Sequence, residues 1–394
     1  MSTSESNLFP LVGLQAVANA HNEWVAVSFH LPQQTGQAGD SLASALAAAD
    51  VYAHLAPLDC IIPLSGPHEL DEVLLGQLIP HRTIFRLPAA CAADKRVQQT
   101  CRQWRDAGYR IVLDGPGAGP VTAAQVDARA LGFDASADLP GLHQLISLPG
   151  PHLAYNIADT DSLAAVAALG ASWFAGDYAL RSLRHHGEAE DGGSRRRLLA
   201  LLGLLARDAD AQELEVPLKQ DPALAYHLFK LVNSAAFGFM APITSFNQAI
   251  TLLGRRQLQR WLQLLLYARQ QEDGKINALL PLAAVRAAQM ESLCQLRGGD
   301  RQAQDLAFMT GVFSLLDTLL GMDMRDIIAS LNLDPAVNDA LLERSGELGA
   351  MLVLAESGAM PSQETLACAG VDGETWWHSL LQAYQWAIQV SRNI

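Results

Sequence analysis

The period of the apolar residues changes near the middle of the chain. Through the first 186 residues they come in short runs, "LVGLQAVA", "WVAVSFHL", "DCIIPL", "RTIFRL", "YRIVL", "HQLISL" and "HLAYNI", separated by stretches such as "DSLASALAAADVYAHLA" and "DKRVQQTCRQWRDAG". Short β-branched runs alternating with helical ones predict parallel strands joined by crossover helices, hence an α/β sheet or barrel. A full eight-unit barrel takes roughly 200–250 residues, so some elements are expected to be shortened or missing. "GEAEDGGS", residues 187–194, is polar, acidic and glycine-rich and reads as a linker. Beyond it the strand period vanishes: Leu306, Met309, Phe313, Leu316 and Leu320 recur at helical spacing. The pattern predicts an α/β domain over 1–186, a linker over 187–194 and an all-α domain over 195–394.

Within the second half, "DPALAYHLFKLVNSAAFGFMAPITSFNQAITLLG" spans residues 221–254. Asp221 can cap free amides, and Pro222 suits a first helical position, where no N–H is needed. Leu224, Leu228 and Leu231 share a face, "NSAAFGFMAP" breaks the helix, and Thr244 or Ser245 can cap a second one running on through Leu258, Leu262 and Leu265. This run closely resembles the signature of the HDOD domain, a helical relative of the HD phosphohydrolases found in bacterial signalling proteins. Asp221, Pro222, Leu224, Asn233, Ser234, Ile243, Ser245, Ala249, Ile250, Leu253 and Gly254 match it, and the resemblance covers at least 198–270. An HD hydrolase site needs several histidines and aspartates, a tandem His-Asp among them, converging on metal. The chain has no His-Asp dipeptide, and His227 and His378 are the only histidines after residue 194, so hydrolysis by this half is not expected.

"LPLAAVRAAQMESLCQL" and "AFMTGVFSLLDTLLGMDM" resemble the helical continuation found where an HDOD domain follows an EAL domain. That architecture implies an EAL identity for the first half. EAL domains are barrel-like phosphodiesterases that hydrolyse cyclic di-GMP with Mg²⁺ or Mn²⁺, held by a ring of oxygen ligands beside a lysine and a general-base glutamate. Residues 8–184 look like a degenerate, shortened TIM-barrel-like version. Gln15 matches the family's opening glutamine, but the Glu-Ala-Leu triplet falls on Ser28, Phe29 and His30. The metal-binding asparagine falls on Pro63 and the next glutamate on Arg86. Asp114 is kept, with Gly115 in place of the second aspartate; Gly132 stands for the lysine and Asp134 is kept; Tyr155 and Asp159 replace two late glutamates and Ala175 a glutamine. The resemblance therefore implies a lost metal ring and a lost activity. If a nucleotide binds, it falls to Gln15, Asp114 and Asp134. Otherwise Asp114, Asp134, Asp159 and Asp177 read as helix caps or solvated charges.

Composition narrows the partners. The formal charge is −14, with 10 basic against 20 acidic residues in 1–194, which argues against nucleic acid and anionic membrane. Arg195, Arg196 and Arg197, with Arg255, Arg256 and Arg260, read as a solvated helix start and face rather than a nucleic-acid surface. "GPGAGP", residues 115–120, lacks the lysine and spacing of a phosphate loop. Five scattered cysteines form no CxxC pair and read as reduced thiols; Trp376, Trp377, Tyr384 and Trp386 read as core. With no signal peptide or spanning run, a cytoplasmic location is expected. The sequence as a whole predicts a non-enzymatic adaptor with no cofactor or metal, whose partners are other signalling proteins. A cyclic di-GMP receptor that does not hydrolyse it, or a residual metal-dependent phosphodiesterase, are the alternatives.

Overall fold

The computed structural model describes residues 9–32, 37–181, 200–204, 209, 213, 228–230, 233, 248, 254–267, 276–331 and 333–393. The chain forms two compact units: Met1–Ser182, Ser357–Leu366 and Val371–Leu381 make one, and Leu183–Glu356, Ala367–Gly370 and Gln382–Ile394 the other. The single cut expected at 187–194 thus misses two late segments that belong with the first half. Among the described residues no helix is long and apolar enough to cross a membrane.

The first unit is a closed barrel of eight strands in sequential order: β1 (Gly13–Ala18), β2 (Trp24–His30), β3 (Asp59–Pro63), β4 (Thr83–Pro88), β5 (Arg110–Asp114), β6 (Ala130–Asp134), β7 (Leu153–Ile157) and β8 (Trp173–Gly176). No strand is missing. Strands β2 to β8 are parallel, but β1 is antiparallel to both its neighbours, contrary to the all-parallel expectation. The reason is local: Asn19 accepts hydrogen bonds from the backbone N–H groups of His21 and Glu23, closing a tight turn that makes β1 and β2 a hairpin. The shortening falls instead on the helices: α1 (Gln37–Ala48), α4 (Lys95–Asp106) and α7 (Thr160–Ala168) are of ordinary length. The others, α2 (Val51–His54), α3 (Glu72–Gln77), α5 (Pro120–Gln125), α6 (Leu142–Ile146) and α8 (Tyr178–Arg181), have four to six residues. "HQLISL", expected as a strand, is α6: Gln144 accepts from the Gly141 N–H to cap it, and only Leu145 is buried. "ALGFD" and "WFAG" supply β6 and β8 instead.

Strand alternation sends every second side chain inward. Val17, Ala26, Ile61, Ile84, Val112, Ala130, Leu153 and Ala175, one from each strand, form the packed interior layer. Outside the barrel, Phe85 meets Trp104 of α4 at 4.2 Å and Tyr109 at 5.1 Å between ring centroids.

The late segments complete this unit. A Cβ on Gly13 would lie 1.7 Å from the Ala359 carbonyl oxygen, so only glycine lets β1 meet the returning chain. Trp377 is fully buried, packs beside Phe29 of β2 and donates its indole N–H to the Ala45 carbonyl of α1 at 3.1 Å. Trp376 is likewise buried.

The second unit, as described, is helical: α9 (Arg255–Leu265), α10 (Leu279–Leu296), α11 (Arg301–Phe313), α12 (Leu316–Leu320), α13 (Met324–Ala329), α14 (Pro335–Glu343) and α15 (Gly346–Glu356). Two more helices, α16 (Gln363–Cys368) and α17 (Gly373–Asn393), are each shared between the two units. Leu258, Leu262 and Leu265 are buried on one stripe of α9 as expected. This helix starts at Gly254, an N-cap with φ +76°, and the expected earlier start at Thr244 or Ser245 lies outside the described residues. The stripe from Leu306 to Leu320 breaks between α11 and α12, and α11 buries more than one face. Gly311 sits so close to Ala287 of α10 that a Cβ there would meet backbone at 2.6 Å. Trp386 packs against Trp261 and Phe308, each at 5.5 Å.

Truncating Trp377 to alanine empties a large site whose partners lie some 330 residues earlier. We expect a loss of about 3–5 kcal/mol, read by hydrogen exchange: β2 and α1 amides lose protection while those of α10 and α11 keep it.

Candidate functional site

Two residues beyond the packed layer, toward the C-terminal ends of the strands, stand Ser28, Pro63, Arg86, Asp114, Gly132 and Tyr155; on the reversed β1 the same level is taken by Gln15. The register pairs Gln15 with Ser28, Pro63 with Arg86 and Asp114 with Gly132. The barrel mouth is where barrel enzymes place their chemistry. Here it holds residues anticipated from the sequence as lost or retained site positions, brought together by strand geometry alone.

At its centre is a three-part cluster. Arg86 Nε lies 3.4 Å from Asp114 Oδ2, both side chains being largely buried. The Tyr155 hydroxyl donates to both Asp114 oxygens at 3.1 Å. The guanidinium stacks over the Tyr155 ring with Cζ 4.6 Å from the centroid. One cation, one carboxylate and one aromatic face thus satisfy one another. Burial, and then the neighbouring Asp114 charge, raise the Tyr155 pKa, so the phenol remains a donor at neutral pH.

The remaining positions are occupied in ways that leave few donors for metal. Asp134 accepts from the backbone N–H and hydroxyl of Ser136 at 2.8 and 2.6 Å and from Asn156 Nδ2 at 2.8 Å. Asp159 caps α7, accepting from the Ser162 N–H at 2.8 Å. Gln15 Oε1 lies 3.3 Å from His30 Nε2. Gly132 has room for little: a Cβ there would lie 3.2 Å from Val112 Cγ1 and 3.4 Å from Asp114. Among the described residues, no group of three or more His, Cys, Asp or Glu side chains converges as a metal site. The donor set does not fit the two-cation ring of an EAL enzyme, because its one central carboxylate already faces a fixed guanidinium and its other positions carry serine, proline, glycine and tyrosine.

Beside the cluster opens a cavity of about 750 Å³, lined by the 115–120 loop, Val121, Asp134, Asp138, Gln144 and Tyr155 among others. The "GPGAGP" segment thus lines a cavity while forming an ordinary turn, with the Ala118 N–H bonded to the Gly115 carbonyl.

Of the HDOD signature residues, Asp221, Pro222, Leu224, Ser234, Ser245, Ala249 and Leu253 lie outside the described residues, as do Arg195 to Arg197 and His227. Asn233 turns back on the preceding helix, its N–H and Nδ2 both donating to the Phe229 carbonyl. Arg256 and Arg260, read from sequence as a solvated face, are tied inward instead. Arg256 pairs with Asp305 at 2.5 Å, Arg260 pairs with Glu291 and Asp305, and Arg260 also stacks on Phe308. The acidic partners belong to other helices, so the sequence of α9 by itself gives no sign of them.

His30, beside the Arg86 cluster, is shifted the other way from Tyr155. Burial, then the Arg86 charge, lower its pKa to about 4. The native ring is neutral while the unfolded one takes a proton below about 6.5, so the unfolded state binds more protons between those values and stability rises with pH across that window. His30→Asn should abolish a loss of about 3 kcal/mol between pH 6.5 and 4, measured by denaturant unfolding at a series of pH values.

Residues 196–320 match the HDOD domain family. Over 194 residues the chain is 30% identical to the cyclic di-GMP phosphodiesterase CdgJ of Vibrio cholerae, covering 48% of this chain and 44% of that protein. Over 175 residues it is 29% identical to YuxH of Bacillus subtilis, covering 43% and 42%. The matched stretches span less than half the length of either relative. The EAL domain of DcpA from Mycobacterium smegmatis matches with a TM-score of 0.34 and 15% identity, over 42% of this chain and 89% of that one. The described residues form an eight-stranded barrel unit and a helical unit, and it is residues 196–320 that match the HDOD domain family.

Proposed function

We propose that this protein is a non-catalytic signalling adaptor that works by holding other proteins, with a barrel that has given up cyclic di-GMP hydrolysis. The observation carrying this reading is the Arg86–Asp114–Tyr155 cluster. Two-metal hydrolysis needs several carboxylates converging on cations that activate water. Here a permanent positive charge stands against the one central carboxylate, and a divalent cation approaching it would be repelled while finding its ligand engaged. The phosphodiesterase named among the relatives supplies the opposing reading, a residual metal-dependent activity. The cavity beside the cluster supplies another, a receptor that binds cyclic di-GMP without cutting it.

Isothermal titration of the full chain with cyclic di-GMP, with and without Mg²⁺ and Mn²⁺, tests all three, paired with chromatography for the linear product. The adaptor reading expects no saturable heat at concentrations that detect a Kd of about 10 μM, and no product. Binding without product establishes the receptor, and product with either metal establishes the enzyme.

A further inference from the structure

Isolated exposed apolar side chains are ordinary on a protein surface, whereas a cluster beside a cavity marks a contact site. Four of the nine large hydrophobic residues exposed among the described residues fall between 121 and 146: Val121 at 77%, Leu139, Leu142 and Ile146 at 72%. They belong to α5, α6 and the loop before α6, the same segments that wall the cavity of about 750 Å³. The cavity itself is charged in one sense: Asp134 and Asp138 line it, no lining residue is basic, and the ring of Tyr155, already stacked on a guanidinium, forms part of its wall. Gly115 and Gly117 add no side chains, and a Cβ at either would meet nothing within 4 Å.

We propose that this face docks a peptide segment of a partner protein, an apolar stretch that lies against Val121, Leu139, Leu142 and Ile146 and sends one lysine or arginine into the cavity toward Asp134 and Asp138. Charge complementarity decides the occupant. An acidic or phosphorylated segment would bring anions to a cavity lined by two carboxylates and no basic residue, within a half of the chain that holds 20 acidic residues against 10 basic. An apolar segment without the basic residue would leave the cavity unfilled and Asp138 desolvated without an opposite charge. The proposal rests on the adaptor reading and gives it a surface and a partner chemistry.

The test pans a displayed library of random twelve-residue peptides against the full chain and titrates the enriched peptides, fluorescein-labelled, by anisotropy. Enriched sequences should combine Arg or Lys with neighbouring Leu, Ile, Val or Phe. Asp138→Lys, and Ala137→Trp at the cavity wall, should each weaken them at least tenfold. Both residues are exposed, so unfolding midpoints should match wild type. Val73→Lys, at an exposed apolar residue of α3 away from this cavity, should leave binding within twofold. Peptides lacking a basic residue, indifference to Asp138→Lys and Ala137→Trp, or no enrichment would each overturn the proposal. Such a failure in a chain still inert toward cyclic di-GMP removes this surface alone, whereas saturable binding or hydrolysis of cyclic di-GMP removes the adaptor reading itself.

Discussion

Closure of the sheet is the constraint from which the rest of the first unit follows. Once β1 pairs with both β2 and β8, no strand has a free edge and each must send alternate residues into a space only wide enough for side chains. The packed layer from Val17 to Ala175 uses that space up. What stands two residues further along each strand is then fixed in place at the mouth, whether or not it has a task there. A fold that maintains this closure fixes the geometry of its mouth whatever side chains stand there.

The cluster at the mouth is electrostatically coherent. Asp114 at the barrel mouth is a largely buried charge, costly unless compensated. Arg86 supplies the compensation as a tethered cation, and Tyr155 covers the guanidinium with its ring while hydrogen-bonding the carboxylate. His30, held neutral by burial and then by the same arginine, avoids adding a second positive charge. The mouth is therefore settled internally, and the acidic cavity with its exposed apolar neighbours lies to one side.

Much of this is legible in the residues and some is not. Runs such as "DCIIPL" and "RTIFRL" carry enough β-branched and aromatic side chains to announce strands, and the charge of Arg86 and the missing side chain of Gly115 can be read without the fold because they are properties of the residue alone. "HQLISL" misleads because an alternation of leucine and isoleucine fits a short capped helix as well as a strand, and the Gln144 cap that decides it depends on Gly141. The place of Tyr155 on a strand is legible, yet its bond to Asp114 spans 41 residues and depends on barrel register. Arg260 looks solvated for the same reason: its partners Glu291 and Asp305 are on other helices. Pairings between distant segments are what a sequence read in windows leaves out.

The seating of Trp377 against β2 and α1 also has a consequence in time. The last barrel strand ends at Gly176, and the indole that completes the unit follows about 200 residues later. At roughly 5–20 residues per second, synthesis supplies it some 10–40 s after the strands are all present. Throughout that interval the nascent barrel carries an open apolar notch beside Phe29, a surface that a chaperone can recognise and that only the arrival of Trp377 closes.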